Sequence, residues 1–282
     1  MNVQKYIIYK NIDRFKSMMI DRTQKTFIEF NTYEHYTISK SGHRRSILSQ
    51  SVKWTKTEGL KNLGVTGLYL LPSTHVNGLN ICKFAGLCKK PCIAFTGHLG
   101  AFHVETMKKR TLALFHYTER YLEDMVRELF IMAFRASIEN KNIYIRLNGT
   151  SDLPFHTVLD MDALTNDING LAGFYDYTKY PRVDNPWKNY HLTYSYSERT
   201  KNINAQFDRV AIVVSQETKK QLLTEHPAVF GDGDKHDVRP LDTQRYILLR
   251  AKKPTTKGHG PVDQDFMMDI NTALEMCVGG VL

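Results

Sequence analysis

The chain has 282 residues, of which 42% are hydrophobic and 24% charged, and its formal net charge is +9. This composition is typical of a folded globular protein and argues against intrinsic disorder. No apolar run approaches the roughly 20 residues of a membrane-spanning helix, the N-terminus lacks a signal-peptide pattern, and four cysteines are too few for a disulfide scaffold. We therefore expect a protein of a reducing cytoplasm that makes no membrane contact.

The predicted elements begin with an N-terminal extension, residues 1–65, formed by a helix and a hairpin. Apolar residues recur at helical spacing over Val3–Met19, whereas Thr26–Ile38 is rich in β-branched and aromatic residues, which is typical of a strand or hairpin. Residues 66–255 are predicted to form the main domain. A C-terminal tail, residues 256–282, is expected to pack on that domain.

The main domain alternates short apolar segments with amphipathic ones. Strands are predicted at Gly67–Leu71, Asn142–Leu147, Gly173–Tyr177, His191–Tyr196, Val210–Ser215 and Tyr246–Arg250. Helices are predicted at Ala101–Phe115, Arg120–Asn140, Ala163–Gly170 and Glu217–Glu225. Strands separated by helices indicate parallel crossover units. We predict an α/β fold, either a partial barrel or an open sheet, with functional groups at the carboxyl ends of its strands.

A cysteine-rich loop, residues 73–100, follows the first strand of this domain. Cys82, Cys88 and Cys92 have the spacing Cys-x5-Cys-x3-Cys, which argues against unrelated buried thiols. A structural zinc site would need a fourth ligand, and the histidines near enough in sequence to supply one are His75, His98 and His103. Three thiolates on one loop instead favour a four-iron cluster that keeps one iron open to a ligand.

Four segments together resemble a known protein family. They are Asn80–Cys92, Arg146–Asp152, Phe174–Lys179 and Tyr190–Glu198. In this order they are similar to the bacteriophage gene product 88 family, over roughly residues 65 to 255. That family in turn resembles the radical S-adenosylmethionine (radical SAM) superfamily, in which a partial (β/α)6 barrel carries a three-cysteine loop after its first strand. The usual superfamily spacing is Cys-x3-Cys-x2-Cys with an aromatic residue before the third cysteine, whereas this chain has longer gaps and Pro91.

The resemblance implies a cofactor set. Cys82, Cys88 and Cys92 would hold a [4Fe–4S] cluster whose open iron binds S-adenosylmethionine, and a reductase or flavodoxin-type donor in the host cytoplasm would supply the electron. The polar residues after the second strand would help to bind S-adenosylmethionine; they are Asn148, Gly149, Ser151 and Asp152. Their types suit such contacts, because a carboxylate accepts from an ammonium and glycine allows close approach. The same residues are also typical of a strand-to-helix turn.

Other polar residues are weaker candidates. Those predicted at later strand ends to contact a substrate are Asp176, Lys179, His191 and Glu198. Each also suits a surface ion pair or a satisfied interior polar group. Asp232, Asp234 and Asp237 alternate as in a loop for a hard cation, although the closing Glu of a calcium loop is missing and an acidic surface turn is the simpler interpretation.

Three functional hypotheses follow. The first is a phage-encoded radical SAM-like enzyme acting on an unknown substrate, with the basic charge favouring a nucleotide or nucleic acid. The second is a metal-stabilised nucleic-acid-binding protein without catalytic activity. The third is a divalent-metal nuclease or replication protein that uses Asp232, Asp234 and Asp237.

Overall fold

A computed structural model describes residues 2–24, 28–50, 62–95, 103–196, 207–236, 238–251 and 266–278. The chain divides into two compact units: unit 1 takes its residues from 1–83, 102–176 and 184–191, and unit 2 from 84–101, 177–183 and 192–282. The described residues form a mixed α/β structure with eight strands, most of them parallel. No helix in these ranges has both the length and the apolar character needed to cross a bilayer.

Unit 1 has five α-helices among its described residues. They are α1 (Ile12–Met19), α2 (Tyr33–Thr37), α3 (Val104–His116), α4 (Thr118–Ile138) and α5 (Met161–Asp167). The long helix α4 forms because apolar residues recur every three or four positions; Leu122, Met125 and Leu129 share its buried face. The predicted helices at 101–115, 120–140 and 163–170 are thereby confirmed within the described residues, with ends shifted by a few positions.

The strands of unit 1 are β1 (Leu48–Gln50), β2 (Leu63–Leu68), β3 (Asn142–Arg146) and the part of β4 (Leu171–Thr178) that ends at Asp176. β1 pairs antiparallel with β2, and β2, β3 and β4 pair in parallel in that order. Helices α3 and α4 lie between β2 and β3 in sequence, as a parallel crossover requires. The carboxyl ends of β2 and β3 therefore meet at one edge of the sheet.

The N-terminal extension differs from its prediction. The strand or hairpin predicted for Thr26–Ile38 is wrong over Tyr33–Thr37, which forms α2 because the Thr32 side chain accepts a hydrogen bond from the His35 amide and caps the helix. An antiparallel bridge between Ile38 and Arg44 follows it. The predicted helix is shorter than expected, since α1 begins only at Ile12, after two short 3-10 turns.

Among its described residues, unit 2 contains the remaining strands and two α-helices. They are β5 (Tyr190–Ser195, in unit 2 from Leu192), β6 (Arg209–Val214), α6 (Gln216–Glu225), β7 (Phe230–Asp232), β8 (Tyr246–Arg250) and α7 (Ile270–Val278). β5, β6, β8 and β7 pair in parallel in that order. Ile212, Leu222, Phe230 and Leu248 are members of its buried core. Sequence periodicity predicted every one of these strands except β7.

Candidate functional site

The polar segment after β3, residues 148–152, is hydrogen-bonded to the end of β2 and to the chain that follows it. Three hydrogen bonds attach it: Gly149 N donates to Leu68 O (3.0 Å), Thr150 Oγ1 to Leu70 O (2.6 Å) and Asp152 N to Ile81 O (2.9 Å). Gly149 is required here, because a Cβ atom would lie 2.8 Å from Leu68 O and from the Tyr69 ring. The structure therefore brings the segments that follow two neighbouring parallel strands into direct contact.

Asn148 is the centre of this segment. It is 4% exposed, and its side-chain oxygen accepts from Ser151 Oγ (2.8 Å) and Leu153 N (2.8 Å). Its side-chain nitrogen donates to Leu153 O (2.9 Å) and to Asp176 Oδ2 (3.2 Å). The amide group is thus fully used inside the protein, so Asn148 and Ser151 shape the loop. Asp152 is half-buried, whereas the other members of the predicted cofactor set are buried.

Asp176, near the end of β4, is a completely buried carboxyl group. Its Oδ1 accepts from the Asn148 backbone amide (2.6 Å), and its Oδ2 accepts from Tyr190 Oη (2.9 Å). Burial raises the pKa of Asp176 to about 7, although these donors and the charge of Arg146 lower it. The sequence singled out Asp176, and the structure places it against the polar segment after β3. A carboxyl group of this kind can exchange a proton near neutral pH.

Tyr190 and His156 complete this cluster, and sequence reasoning did not identify either as functional. Burial raises the pKa of the Tyr190 hydroxyl well above its ordinary value, and the charge of Asp176 adds to the effect. The His156 ring stacks on Tyr190 with centroids 6.0 Å apart. Burial lowers the pKa of His156 to about 4, so its imidazole is neutral at pH 7. The sequence feature that could have pointed to this cluster is Asp176, an aspartate within an otherwise apolar strand. A carboxyl group that is buried there needs buried hydrogen-bond partners.

Cys82 is the cysteine of the loop that belongs to unit 1. Its amide donates to Asn80 Oδ1 (3.1 Å), and its Sγ lies 3.6 Å from Thr150 O. Cys82 is half-buried. The first cysteine of the loop therefore touches the segment predicted to bind the cofactor.

Cys88 and Cys92 belong to unit 2. Cys88 lies within the short 3-10 turn Gly86–Lys89, and Cys92 directly precedes the second such turn, Ile93–Phe95. Both residues are half-buried, and burial, with a contribution from Cys88, raises the pKa of the Cys92 thiol to about 12. Three cysteine thiols in one loop can serve as thiolate ligands of an iron–sulfur cluster. Within the part of the chain that the structure describes, however, no three His, Cys, Asp or Glu side chains are arranged to hold a metal ion.

The remaining predicted residues have different surroundings or lie outside the described residues. Lys179 Nζ, in unit 2, donates to Ser195 Oγ (3.0 Å), Ser195 O (3.3 Å) and Tyr196 O (3.2 Å). His191 is half-buried in β5. Glu198 and the zinc-ligand candidate His98 lie outside the described residues, whereas His75 and His103 lie within them.

In unit 2, a lysine side chain forms ion pairs with the acidic loop that contains Asp232 and Asp234. The Lys219 ammonium, on α6, lies 2.5 Å from Asp232 Oδ1 and 2.6 Å from Asp234 Oδ2, and Lys219 is 5% exposed. Burial alone would raise the pKa of Asp232, but Lys219 and nearby backbone amides hold it below its ordinary value. The cation between these two carboxylates is therefore a side-chain ammonium. Asp237 lies outside the described residues.

Comparison with known proteins identifies the family. No curated protein and no solved structure matches the chain. The family model described as Gene product 88 matches residues 38–263, which is most of the chain and includes the cysteine loop, the segment after β3, and Asp176. Because the match covers far more than half of the sequence, this chain belongs to the gene product 88 family.

Proposed function

We propose that this protein is an iron–sulfur protein whose Cys82, Cys88 and Cys92 bind a [4Fe–4S] cluster, and that it acts as a radical SAM-like enzyme. One observation carries the proposal: the start of the cysteine loop touches the polar segment after β3, through Cys82 Sγ at 3.6 Å from Thr150 O and the Asp152–Ile81 hydrogen bond of 2.9 Å. The resemblance to radical SAM enzymes implies that the cluster loop and the cofactor-binding segment are neighbours. Sequence spacing alone did not require this contact.

In this proposal the parallel strands belong to a partial (β/α)6 barrel. The half-buried Asp152 accepts from the amino group of S-adenosylmethionine, while Asn148, Gly149 and Ser151 hold the segment in place through the contacts described above. Asp176 and His191 of unit 1 and Lys179 and Glu198 of unit 2 are candidates for substrate contact. The net charge of +9 favours a nucleotide or nucleic acid as substrate.

In the proposed cluster, all three thiols bind iron as thiolates. A metal site is rarely preformed without its metal, because the ligands must deprotonate and the chain must order around the ion. Cys92 has a thiol pKa of about 12, so its proton is displaced only on ligation.

Anaerobic purification with iron and sulfide analysis tests the proposal. We expect about four irons and four sulfides per chain, with broad visible absorption that S-adenosylmethionine perturbs. The Cys88→Ala variant should lose iron, sulfide and colour. Cys277→Ala is the matched control, since Cys277 lies far from the loop in sequence, and it should keep all three.

Two results would overturn the proposal. Equal iron content in Cys88→Ala and the wild type would mean that the loop does not hold the metal. A colourless protein with one tightly bound zinc and no sulfide would make the loop a zinc site, and would favour the non-catalytic nucleic-acid-binding hypothesis.

A further inference from the structure

In unit 1, the exposed aromatic ring of Phe30 lies against a group of packed aromatic side chains. Phe30 is 62% exposed, although it lies among aromatic neighbours. Its ring meets the His116 ring edge-on, with centroids 5.0 Å apart, and the Tyr117 ring lies 6.1 Å away. Tyr33 and Tyr36, both 2% exposed, pack behind these rings. We call Phe30, Tyr33, Tyr36, His116 and Tyr117 the aromatic platform.

The backbone on either side of Phe30 is fixed to this platform. His116 Nε2 lies 2.7 Å from Glu29 O, and Tyr36 Oη donates to the same oxygen at 3.3 Å. Tyr117 Oη donates to Asn31 O at 2.9 Å. Residues 29 and 31 are therefore both anchored. An exposed ring that is already held in place loses little conformational entropy when a ligand binds it.

Cations surround the platform. The Arg120 guanidinium lies 4.1 Å from the centroid of the Tyr33 ring, and Lys108 Nζ lies 2.8 Å from Glu29 Oε2. Lys16 Nζ is 5.0 Å from the centroid of the Phe115 ring, next to the platform in sequence. The ion pairs Lys108–Glu29 and Arg120–Glu34 have side chains between 37% and 59% exposed. Exposed pairs of this kind are weak, so a phosphate can replace the carboxylate as partner.

We propose that the aromatic platform binds single-stranded nucleic acid, with a base stacked on Phe30 and phosphates paired with Lys108 and Arg120. A single strand presents both a flat π-face and a phosphate at each nucleotide, which are the two groups that a ring among cations recognises. A duplex hides its base faces and offers only phosphates. The net charge of +9 adds a long-range attraction for the same class of ligand.

Fluorescence anisotropy with a labelled oligothymidylate of about 15 nucleotides tests the proposal. The full-length wild type should bind the oligonucleotide, and Phe30→Ala should weaken binding by about tenfold, the loss expected for one stacked base. Phe30→Trp should retain binding, because indole stacks as well as benzene. Lys108→Gln should lower the slope of log Kd against log salt by about one, as the loss of one phosphate contact requires.

Phe134→Ala is the matched control. Phe134 lies on the solvent face of α4 and is 61% exposed, so the two variants remove similar exposed rings. The proposal is wrong if Phe134→Ala weakens binding as much as Phe30→Ala does, or if a duplex of the same length binds as tightly as the single strand. Capture of a protein partner by the Phe30 surface, with no oligonucleotide binding, would also overturn it. The assay measures binding and not iron content, so its outcome is independent of the proposed cluster.

Discussion

Asp176 in unit 1 and Asp232 in unit 2 are both aspartates at or near strand ends, but their pKa values are shifted in opposite directions. Asp176 is completely buried and receives its described hydrogen bonds from an amide backbone, an amide side chain and a phenol, and burial raises its pKa to about 7. Asp232 contacts a buried ammonium, and its pKa is lowered. The difference teaches that residue type and strand position do not decide the protonation state, whereas the balance between burial and the nearby donors and charges does.

The cluster around Asp176 and the cluster around Asp232 also differ in the chemistry that they allow. A carboxyl group with a pKa near neutrality can take up or release a proton, which suits a functional site. A carboxylate paired with a buried lysine keeps its charge and links α6 to β7, which suits a structural role. Three experiments with substituted proteins test this comparison, the first having the largest expected effect.

Asp176→Asn should change the pH dependence of stability. The pKa of Asp176 is about 7 in the folded protein, against an ordinary value of 3.8, so the folded state binds the proton more tightly than the unfolded state does. The wild type should therefore lose stability relative to the variant as pH rises from about 4 to about 7, by up to about 4 kcal/mol. Urea unfolding of both proteins across this range measures the difference. A difference that does not vary with pH would place Asp176 in an ordinary carboxylate environment.

The double variant Asp232→Asn, Asp234→Asn should leave the Lys219 ammonium buried without a carboxylate. Because an uncompensated buried charge is costly, we expect a loss of about 3 kcal/mol in unfolding free energy. Adding Lys219→Met should restore most of that stability, since it removes the isolated charge. The same urea measurement at pH 7 checks both. If the double variant is as stable as the wild type, the ion pairs make no net contribution.

Tyr190→Phe should have a smaller effect that depends on the charge of Asp176. The hydroxyl donates to Asp176 Oδ2 at 2.9 Å, and removing a hydrogen bond to a charged buried acceptor costs about 2 kcal/mol. The loss should be greatest above pH 7, and the pKa of Asp176 should rise further, as carbon-13 NMR of the labelled carboxyl would show. Tyr144→Phe on β3 is the control, because burial is the cause of its raised pKa. Equal shifts in both variants would contradict a specific Tyr190–Asp176 contact.

Sequence periodicity predicted the fold well where one helix or strand face is buried. The long helix α4 and strands β3, β6 and β8 lie within a few residues of their predicted positions. Two short strands, β1 and β7, were missed because three residues are too few to show alternation. Helix α2 was missed because its composition, Tyr-Glu-His-Tyr-Thr, favours a strand and its formation depends on the Thr32 cap.

The candidate site was predictable in part. Clustering of the cysteines and the turn after β3 predicted roles for Cys82 and Asp152, and the structure brings the segments that contain them into contact. The roles of Asn148 and Tyr190 could not be predicted, since they depend on partners more than 10 residues away that only the folded chain brings close. Lys219 is the clearest case, because its neighbour Lys220 is identical in type and only the helix phase directs residue 219 inward.

Glu128 on α4 holds the segment that leads into β1. Its carboxylate accepts from the Ile47 amide (2.8 Å), the Leu48 amide (3.0 Å) and the Ser46 hydroxyl. These groups are about 80 residues apart in sequence. During synthesis, β1 leaves the ribosome long before Glu128 on α4 does. The first strand of the sheet can therefore make its contacts with Glu128 only after this much later helix has been made. The order of translation and the order of assembly therefore differ for this edge of the protein.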